Sequence, residues 1–128
     1  MTLYSHSLYQ FTLLDNNILK NEWKEKTETM TLEDFQEAVQ NHAGFVIEHR
    51  CLNLLVDTRN FKYTIPEENN EWTEKELNPR YHKLGVKKFA FIMPAEYLAY
   101  VKDTPAKDGK FASRYFADEN EAVAWLSE

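Results

Sequence analysis

The chain has 128 residues, and its 15 Lys plus Arg against 21 Asp plus Glu give a net charge of −6. Three scattered glycines exclude a dinucleotide-binding fingerprint and a P-loop, and a single cysteine excludes an internal disulfide and a cysteine-based zinc site. The acidic balance argues against nucleic acid as a partner, because phosphate contacts need a dense Lys/Arg face. Aromatic residues make up 14% of the chain, so we expect one domain with its own core over residues 1–128.

The first predicted elements are a hairpin and a long helix. Residues 8–24 alternate apolar and polar side chains around an Asp-Asn-Asn turn, which is typical of a β-hairpin. Thr31 and Asp34 have the spacing of a capping box, so a helix is expected to begin there. Apolar residues then recur at helical spacing to about residue 49, past Gly44, and predict one continuous helix.

The rest of the chain alternates strands with helices. Residues 51–57 and 88–93 are short apolar runs without helical spacing, as in buried strands. Pro66 predicts the start of a helix towards Tyr81, and Pro79 is expected to kink or end it. The last predicted elements are a short helix opened by Pro94, a strand over 110–117 and a C-terminal helix capped by Asp118.

The predicted order of elements is therefore β-β-α-β-α-β-α-β-α. After the opening hairpin, strands that alternate with helices require crossover connections, which make neighbouring strands parallel and cover the sheet with helices. The sequence thus predicts a single α/β domain with a mixed, largely parallel sheet.

Five segments along the chain carry a resemblance to a known family. They are Asn-Glu-Trp at 21–23, Leu-Leu-Val-Asp-Thr-Arg at 54–59, Leu-Gly-Val-Lys-Lys-Phe-Ala-Phe at 84–91, Arg-Tyr-Phe at 114–116 and Ala-Val-Ala-Trp-Leu at 122–126. Their order, with a hairpin first and an Asp-hydroxyl pair ending the central strand, resembles the STAS domain. The closer resemblance is to its SpoIIAA-like branch of small bacterial proteins, also described as STAS/SEC14-like.

The resemblance implies a non-enzymatic binding or regulatory module that acts through protein contacts. In the anti-sigma-factor-antagonist relatives, the central strand ends in an Asp-Ser-Ser turn whose second serine is phosphorylated by a partner kinase. Asp57 matches the aspartate and Thr58 the first hydroxyl, whereas Arg59 stands where the phosphorylated serine would fall. A guanidinium group cannot accept phosphate, so the switch would transfer only if Thr58 took the role of that serine.

The residues themselves also point to a binding surface. Asp57, Thr58 and Arg59 follow a predicted central strand, where open α/β sheets present ligand-binding loops. Arg59 could hold an anion through two hydrogen bonds; the alternative is that Asp57 and Thr58 cap the turn and Arg59 pairs with a nearby carboxylate. Trp72, in an acidic segment, is either a core anchor or part of a contact surface. The predicted binding surface comprises Asp57, Thr58, Arg59, Tyr63 and Trp72.

No spacing in the chain indicates catalysis, a metal or a cofactor. His42 and His49 share a predicted helix face but lie about 10.5 Å apart along its axis, too far for one metal ion. Cys51 opens a predicted buried strand, where a free thiol usually only packs. Since no nucleophile–base pair is recognisable either, we expect no catalytic residue, no metal site and no cofactor.

Two functions remain open from the sequence. The first is a regulatory module that contacts an unknown protein partner at the predicted binding surface. The second is a carrier of a small apolar ligand or lipid, of SEC14-like type, with Tyr63, Tyr81, Tyr97 and Tyr100 lining a pocket unless they simply fill the core. The abundant aromatic residues are also compatible with a homo-oligomer.

The expected location is the cytoplasm. No apolar run approaches the roughly 18 residues that an integral membrane segment needs, and residues 1–6 have neither the basic region nor the hydrophobic block of a secretory signal. A lone thiol fits the same compartment.

Overall fold

A six-stranded sheet runs through the molecule, which the computed structural model describes over residues 1–128. Its strands lie side by side in chain order: β1 (Thr2–Ser5), β2 (Tyr9–Leu14), β3 (Ile18–Trp23), β4 (Asn53–Asp57), β5 (Lys88–Ile92) and β6 (Ala112–Phe116). The pairs from β1 to β3 are antiparallel and those from β3 to β6 are parallel. This confirms the predicted α/β class with a mixed, largely parallel sheet.

The long helix α1 (Leu32–His49) forms as predicted. The Thr31 hydroxyl accepts a hydrogen bond from the Asp34 amide at 3.1 Å, and the Asp34 carboxylate accepts one from the Thr31 amide at 3.0 Å. This capping box pairs two amides that the first turn of a helix would otherwise leave unpaired. The helix passes Gly44 without a break and ends at Arg50, which adopts a left-handed conformation.

The second helical region differs from its prediction. It consists of α2 (Asn69–Trp72), a π turn (Thr73–Leu77) and α3 (Asn78–Leu84), so it begins three residues after Pro66. Pro79 does not end it, because the chain stays helical on both sides of this residue. In a regular α-helix the proline ring would clash with the carbonyl four residues earlier, and the wider π turn in that place relieves the clash.

Two further elements correct the predicted order. The edge strand β1 was not predicted; it is four residues long, and its place is set by pairing with β2. The segment after Pro94 is a 3₁₀ helix (Ala95–Tyr100) and not an α-helix. None of its residues is buried, so no apolar stripe is available to dock an α-helix on the sheet.

Helices cover both faces of the sheet. On one face α1, α2 and α3 enclose the larger, aromatic-rich core, and on the other α4 (Glu119–Leu126) packs on a smaller cluster. The Asp118 carboxylate accepts a hydrogen bond from the Glu121 amide at 3.1 Å, as the predicted cap requires. The smaller cluster contains Ile18, Leu55, Ala90, Ile92, Ala122, Trp125 and Leu126.

Several predicted core residues are confirmed. Trp23 and Trp125 are only 4% and 8% exposed, and Cys51 is fully buried at the approach to β4. Burial raises the pKa of the Cys51 thiol, which keeps it protonated and unreactive at neutral pH. None of the helices combines the length and the apolar character that a bilayer crossing demands.

Candidate functional site

A cavity of about 330 Å³, partly open to solvent, lies in the larger core between the sheet, α1, the π turn and α3. Eleven of its sixteen wall residues are hydrophobic, and none carries a charge at neutral pH. We call it the aromatic cavity. Its walls are Asn21, Trp23, Phe35, Val39, His42, Val56, Thr58, Phe61, Ile65, Thr73, Leu77, Asn78, Tyr81, Phe89, Phe91 and Phe111.

The floor of the cavity comes from the register of the central strands. Side chains alternate between the two faces of a strand, so Leu19, Asn21 and Trp23 of β3 share the face that meets α1. Asn21 stands beside Val56 of β4, and Val56 stands beside Phe91 of β5. Asn21 is thus a buried amide in a row of apolar side chains.

The roof comes from two helical faces. Phe35, Val39 and His42 follow one another at spacings of four and three residues, which places them on one side of α1. Leu77 of the π turn and Tyr81 of α3 complete the wall from the second helical region. The π turn therefore supplies part of the cavity surface, as π turns often do at functional sites.

A hydrogen bond joins the two helical faces. The Nδ1 atom of His42 lies 2.7 Å from the hydroxyl oxygen of Tyr81, and the side chains are 3% and 2% exposed. Burial lowers the pKa of His42 to about 4, so the imidazole is neutral at pH 7. Burial also raises the pKa of Tyr81 well above its ordinary value, so its hydroxyl keeps its proton.

Two buried polar atoms have no hydrogen-bond partner, and both belong to walls of this cavity. They are the Oδ1 atom of Asn21 and the Nε2 atom of His42. Asn21, like His42, is 3% exposed, so water outside the protein does not satisfy it. Buried polar atoms in folded proteins are nearly always paired, which makes this pair of orphaned atoms the clearest functional signal in the structure.

The turn after β4 has a different character. Asp57 is 4% exposed, and its carboxylate accepts hydrogen bonds from Arg59: from Nε at 3.0 Å, from Nη2 at 2.7 Å and from the backbone amide at 3.1 Å. Burial acts to raise the pKa of Asp57, but the hydrogen bonds and charge of Arg59 outweigh it and hold the pKa below its usual value. The structure thus has the Arg59–carboxylate pair that the sequence left open as the alternative.

The other members of the predicted binding surface lie in two places. Thr58 donates a hydrogen bond from Oγ1 to the Ile92 carbonyl at 2.7 Å, and it lines both the aromatic cavity and a surface groove that also includes Arg59. Tyr63 packs against Phe35 with ring centroids 6.0 Å apart, and Trp72 packs half-buried on the larger core. Neither Tyr63 nor Trp72 lines that groove.

Only one of the four tyrosines predicted for a pocket lines the aromatic cavity. Tyr81 is in its wall, whereas Tyr97 and Tyr100 are 55% and 84% exposed and Tyr63 packs beside it. The prediction is wrong for Tyr97 and Tyr100 because their segment forms the 3₁₀ helix with no buried residue.

The sequence analysis missed the two residues that carry the polar atoms. Asn21 was quoted only as part of a motif, although it interrupts the apolar alternation between Leu19 and Trp23. His42 shares a position of the predicted helical stripe with Ala43, but the only chemical role considered for it was that of a metal ligand. A polar residue at a core position was the available signal. No group of three or more His, Cys, Asp or Glu side chains is placed to hold a metal ion.

The sheet order, the hairpin that precedes α1 and the turn after β4 define a small α/β domain of the STAS type. A family model described as SpoIIAA-like matches residues 22–127, so the chain belongs to the SpoIIAA-like family. No curated protein matches the chain, and no solved structure does.

Proposed function

We propose that this protein is a non-enzymatic binding module that holds a small, mostly apolar ligand in the aromatic cavity. The observation that carries the proposal is the cavity itself, which keeps about 330 Å³ open inside the larger core. Protein cores are packed about as densely as organic crystals, and ligand sites typically begin near this volume. An occupant would give the walls of such a space contacts that they otherwise lack.

The chemistry of the walls favours an organic occupant over water. Water is a poor filling for such walls, because a buried water needs two to four polar partners. Seven of the wall residues are Phe, Tyr or Trp, and few wall atoms can form a hydrogen bond with water. Apolar and ring-bearing molecules gain most from such walls.

Native mass spectrometry of the freshly purified protein tests this function. We expect a co-purified small molecule, and we expect uptake of an added apolar probe by protein that has been stripped with organic solvent. Val39→Phe should fill part of the cavity and reduce uptake at least several-fold. Ile47→Phe is the matched control, because Ile47 lies on the same helix but is 41% exposed and outside the cavity. A clean protein mass in every preparation, with no uptake of any apolar probe, would contradict the proposal.

The second proposed function is a regulatory contact with a protein partner. A surface groove of about 420 Å³ at the carboxyl ends of β4 and β5 supports it, with the half-exposed Arg59 and the exposed Tyr97 in its walls. Arginine and tyrosine are enriched at the energetic centres of protein interfaces. The proposed location of this regulatory module is the cytoplasm, as expected from the sequence.

A pull-down from native lysate tests the second function. Arg59→Glu should reduce recovery of the partner, whereas Lys87→Glu, an exposed charge reversal next to the other end of β5, should not. Trp72→Ala tests whether α2 takes part as well. Full recovery of the partner by both Arg59→Glu and Trp72→Ala would remove this surface from consideration.

A further inference from the structure

The polar atoms of the aromatic cavity specify more than an apolar ligand. The structure leaves two buried side-chain polar atoms unpaired, Oδ1 of Asn21 and Nε2 of His42, and both residues line the same cavity. Each side chain is 3% exposed, on a strand in one case and on a helix in the other. The two residues belong to different elements and line one space, which indicates a place for the polar part of a ligand.

The hydrogen-bond roles of these atoms follow from the partner of His42. The Tyr81 hydroxyl lies 2.7 Å from His42 Nδ1 and has no other acceptor within hydrogen-bonding distance, so it donates its proton to Nδ1. A neutral imidazole that accepts at one nitrogen carries its proton on the other. His42 Nε2 is therefore a donor, and Asn21 Oδ1 is an acceptor.

The charge of the walls restricts the ligand further. No Lys, Arg, Asp or Glu lines the aromatic cavity, and the one titratable imidazole is neutral at pH 7. An ionised ligand would lose its hydration there without gaining a counter-ion, which is strongly unfavourable.

We propose that the aromatic cavity selects an uncharged, hydroxyl-bearing apolar molecule, whose hydroxyl group accepts a hydrogen bond from His42 Nε2 and donates one to Asn21 Oδ1. The inference rests on the proposed ligand-binding function and names the ligand class for it. A hydroxyl group matches the pair of atoms because it accepts and donates at once. A hydrocarbon satisfies neither atom, and a carboxylate lacks the proton for Asn21 and brings a charge.

Equilibrium dialysis of the full-length protein at pH 7 with three ring compounds of matched shape tests the proposal. The probes are 2-naphthol, naphthalene and 2-naphthoate, which differ in the presence of the hydroxyl and in charge. We expect 2-naphthol to bind roughly fivefold to a hundredfold tighter than naphthalene, as one or two hydrogen bonds that satisfy buried groups would give, and 2-naphthoate to bind most weakly.

Two variants remove the polar atoms one at a time and put an apolar side chain of related shape in their place. In Asn21→Leu and in His42→Phe the advantage of 2-naphthol over naphthalene should fall at least several-fold, and naphthalene should bind as well as before or better. His49→Phe is the matched control, since His49 is on the same helix but outside the cavity, and it should keep the full advantage.

The outcomes separate this inference from the proposed function. Equal binding of 2-naphthol and naphthalene by the wild type, or tightest binding of 2-naphthoate, would overturn the hydroxyl proposal while the cavity remained a ligand site. Binding of none of the three would overturn both. If His42→Phe does not fold, Asn21→Leu and the wild-type comparison still decide, and an unchanged advantage in Asn21→Leu would count against the proposal.

Discussion

Two buried polar side chains on neighbouring strands are treated in opposite ways by this fold. Asp57, at the end of β4, accepts hydrogen bonds from Arg59 at both carboxylate oxygens, whereas Asn21 on β3 leaves its Oδ1 unpaired. Asn21 lies beside Val56, which directly precedes Asp57, so the two residues are one register position apart on neighbouring strands. A fully paired polar group stabilises a turn, and an unpaired one next to a cavity indicates room for another molecule.

The largest expected effect concerns His42, which carries the second unpaired buried atom. In the folded protein burial lowers the pKa of His42 from 6.5 to about 4, so on acidification the unfolded chain takes up its proton first. Stability linked to His42 is therefore complete above pH 6.5 and is lost as the pH falls towards 4, by about 3 kcal/mol. Urea unfolding at a series of pH values should show this loss in the wild type and not in His42→Phe.

His49→Phe is the control for this titration, because His49 is half-exposed on the same helix. It should keep the wild-type pH dependence. Parallel curves for the wild type and His42→Phe between pH 7 and pH 4 would show that His42 is not a neutral, buried imidazole.

The next largest effect concerns the paired carboxylate of Asp57. Asp57→Ala removes three hydrogen bonds from Arg59 and leaves the turn after β4 without its carboxylate. We expect a loss of about 2 kcal/mol in the free energy of unfolding at pH 7, discounted because the Arg59 side chain is 46% exposed. Because the pKa of Asp57 is lowered, this difference should shrink as the pH falls below the ordinary value of 3.8. An Asp57→Ala protein as stable as the wild type at pH 7 would remove the structural role of the pair.

The smallest expected effect tests whether the buried amide of Asn21 is unpaired. Asn21→Leu replaces an unpaired buried amide by an apolar group of similar branched shape that can extend into the adjacent cavity, so stability should stay equal or rise by up to about 1 kcal/mol. Asn69→Leu is the matched control: Asn69 is also 3% exposed, but its Oδ1 accepts a hydrogen bond from Gln36 at 2.9 Å. The control should lose about 1–2 kcal/mol. Thermal unfolding of both variants checks the difference, and equal losses would mean that Asn21 is paired in solution.

The sequence predicted those elements whose signals are local. The capping box at Thr31 and the cap at Asp118 are each contained within four residues, and both helices begin where these signals stand. The hairpin and the buried strands follow from alternation and from short apolar runs, which depend only on neighbouring residues. The whole fold class followed from the order of these elements.

The remaining features depend on contacts between distant parts of the chain. Strand β1 exists because β2 offers a free edge, and the π turn exists because Pro79 cannot fit a regular helical turn. The cavity needs α1, α3 and three strands to come together, so no local pattern reports it. Asn21 and His42 could be seen as polar residues at core positions, but not as parts of one site.

The central claim is that the orphaned atoms, and not the paired turn, mark the ligand site. An NMR titration of the ¹⁵N-labelled protein with 2-naphthol tests it most directly. The account predicts that the side-chain amide of Asn21 and the backbone amides of Val39 and Leu77 shift together, while amides of α4 on the opposite face do not. Shifts confined to Arg59, Tyr97 and their neighbours in the surface groove, or no shift at any cavity residue, would contradict it.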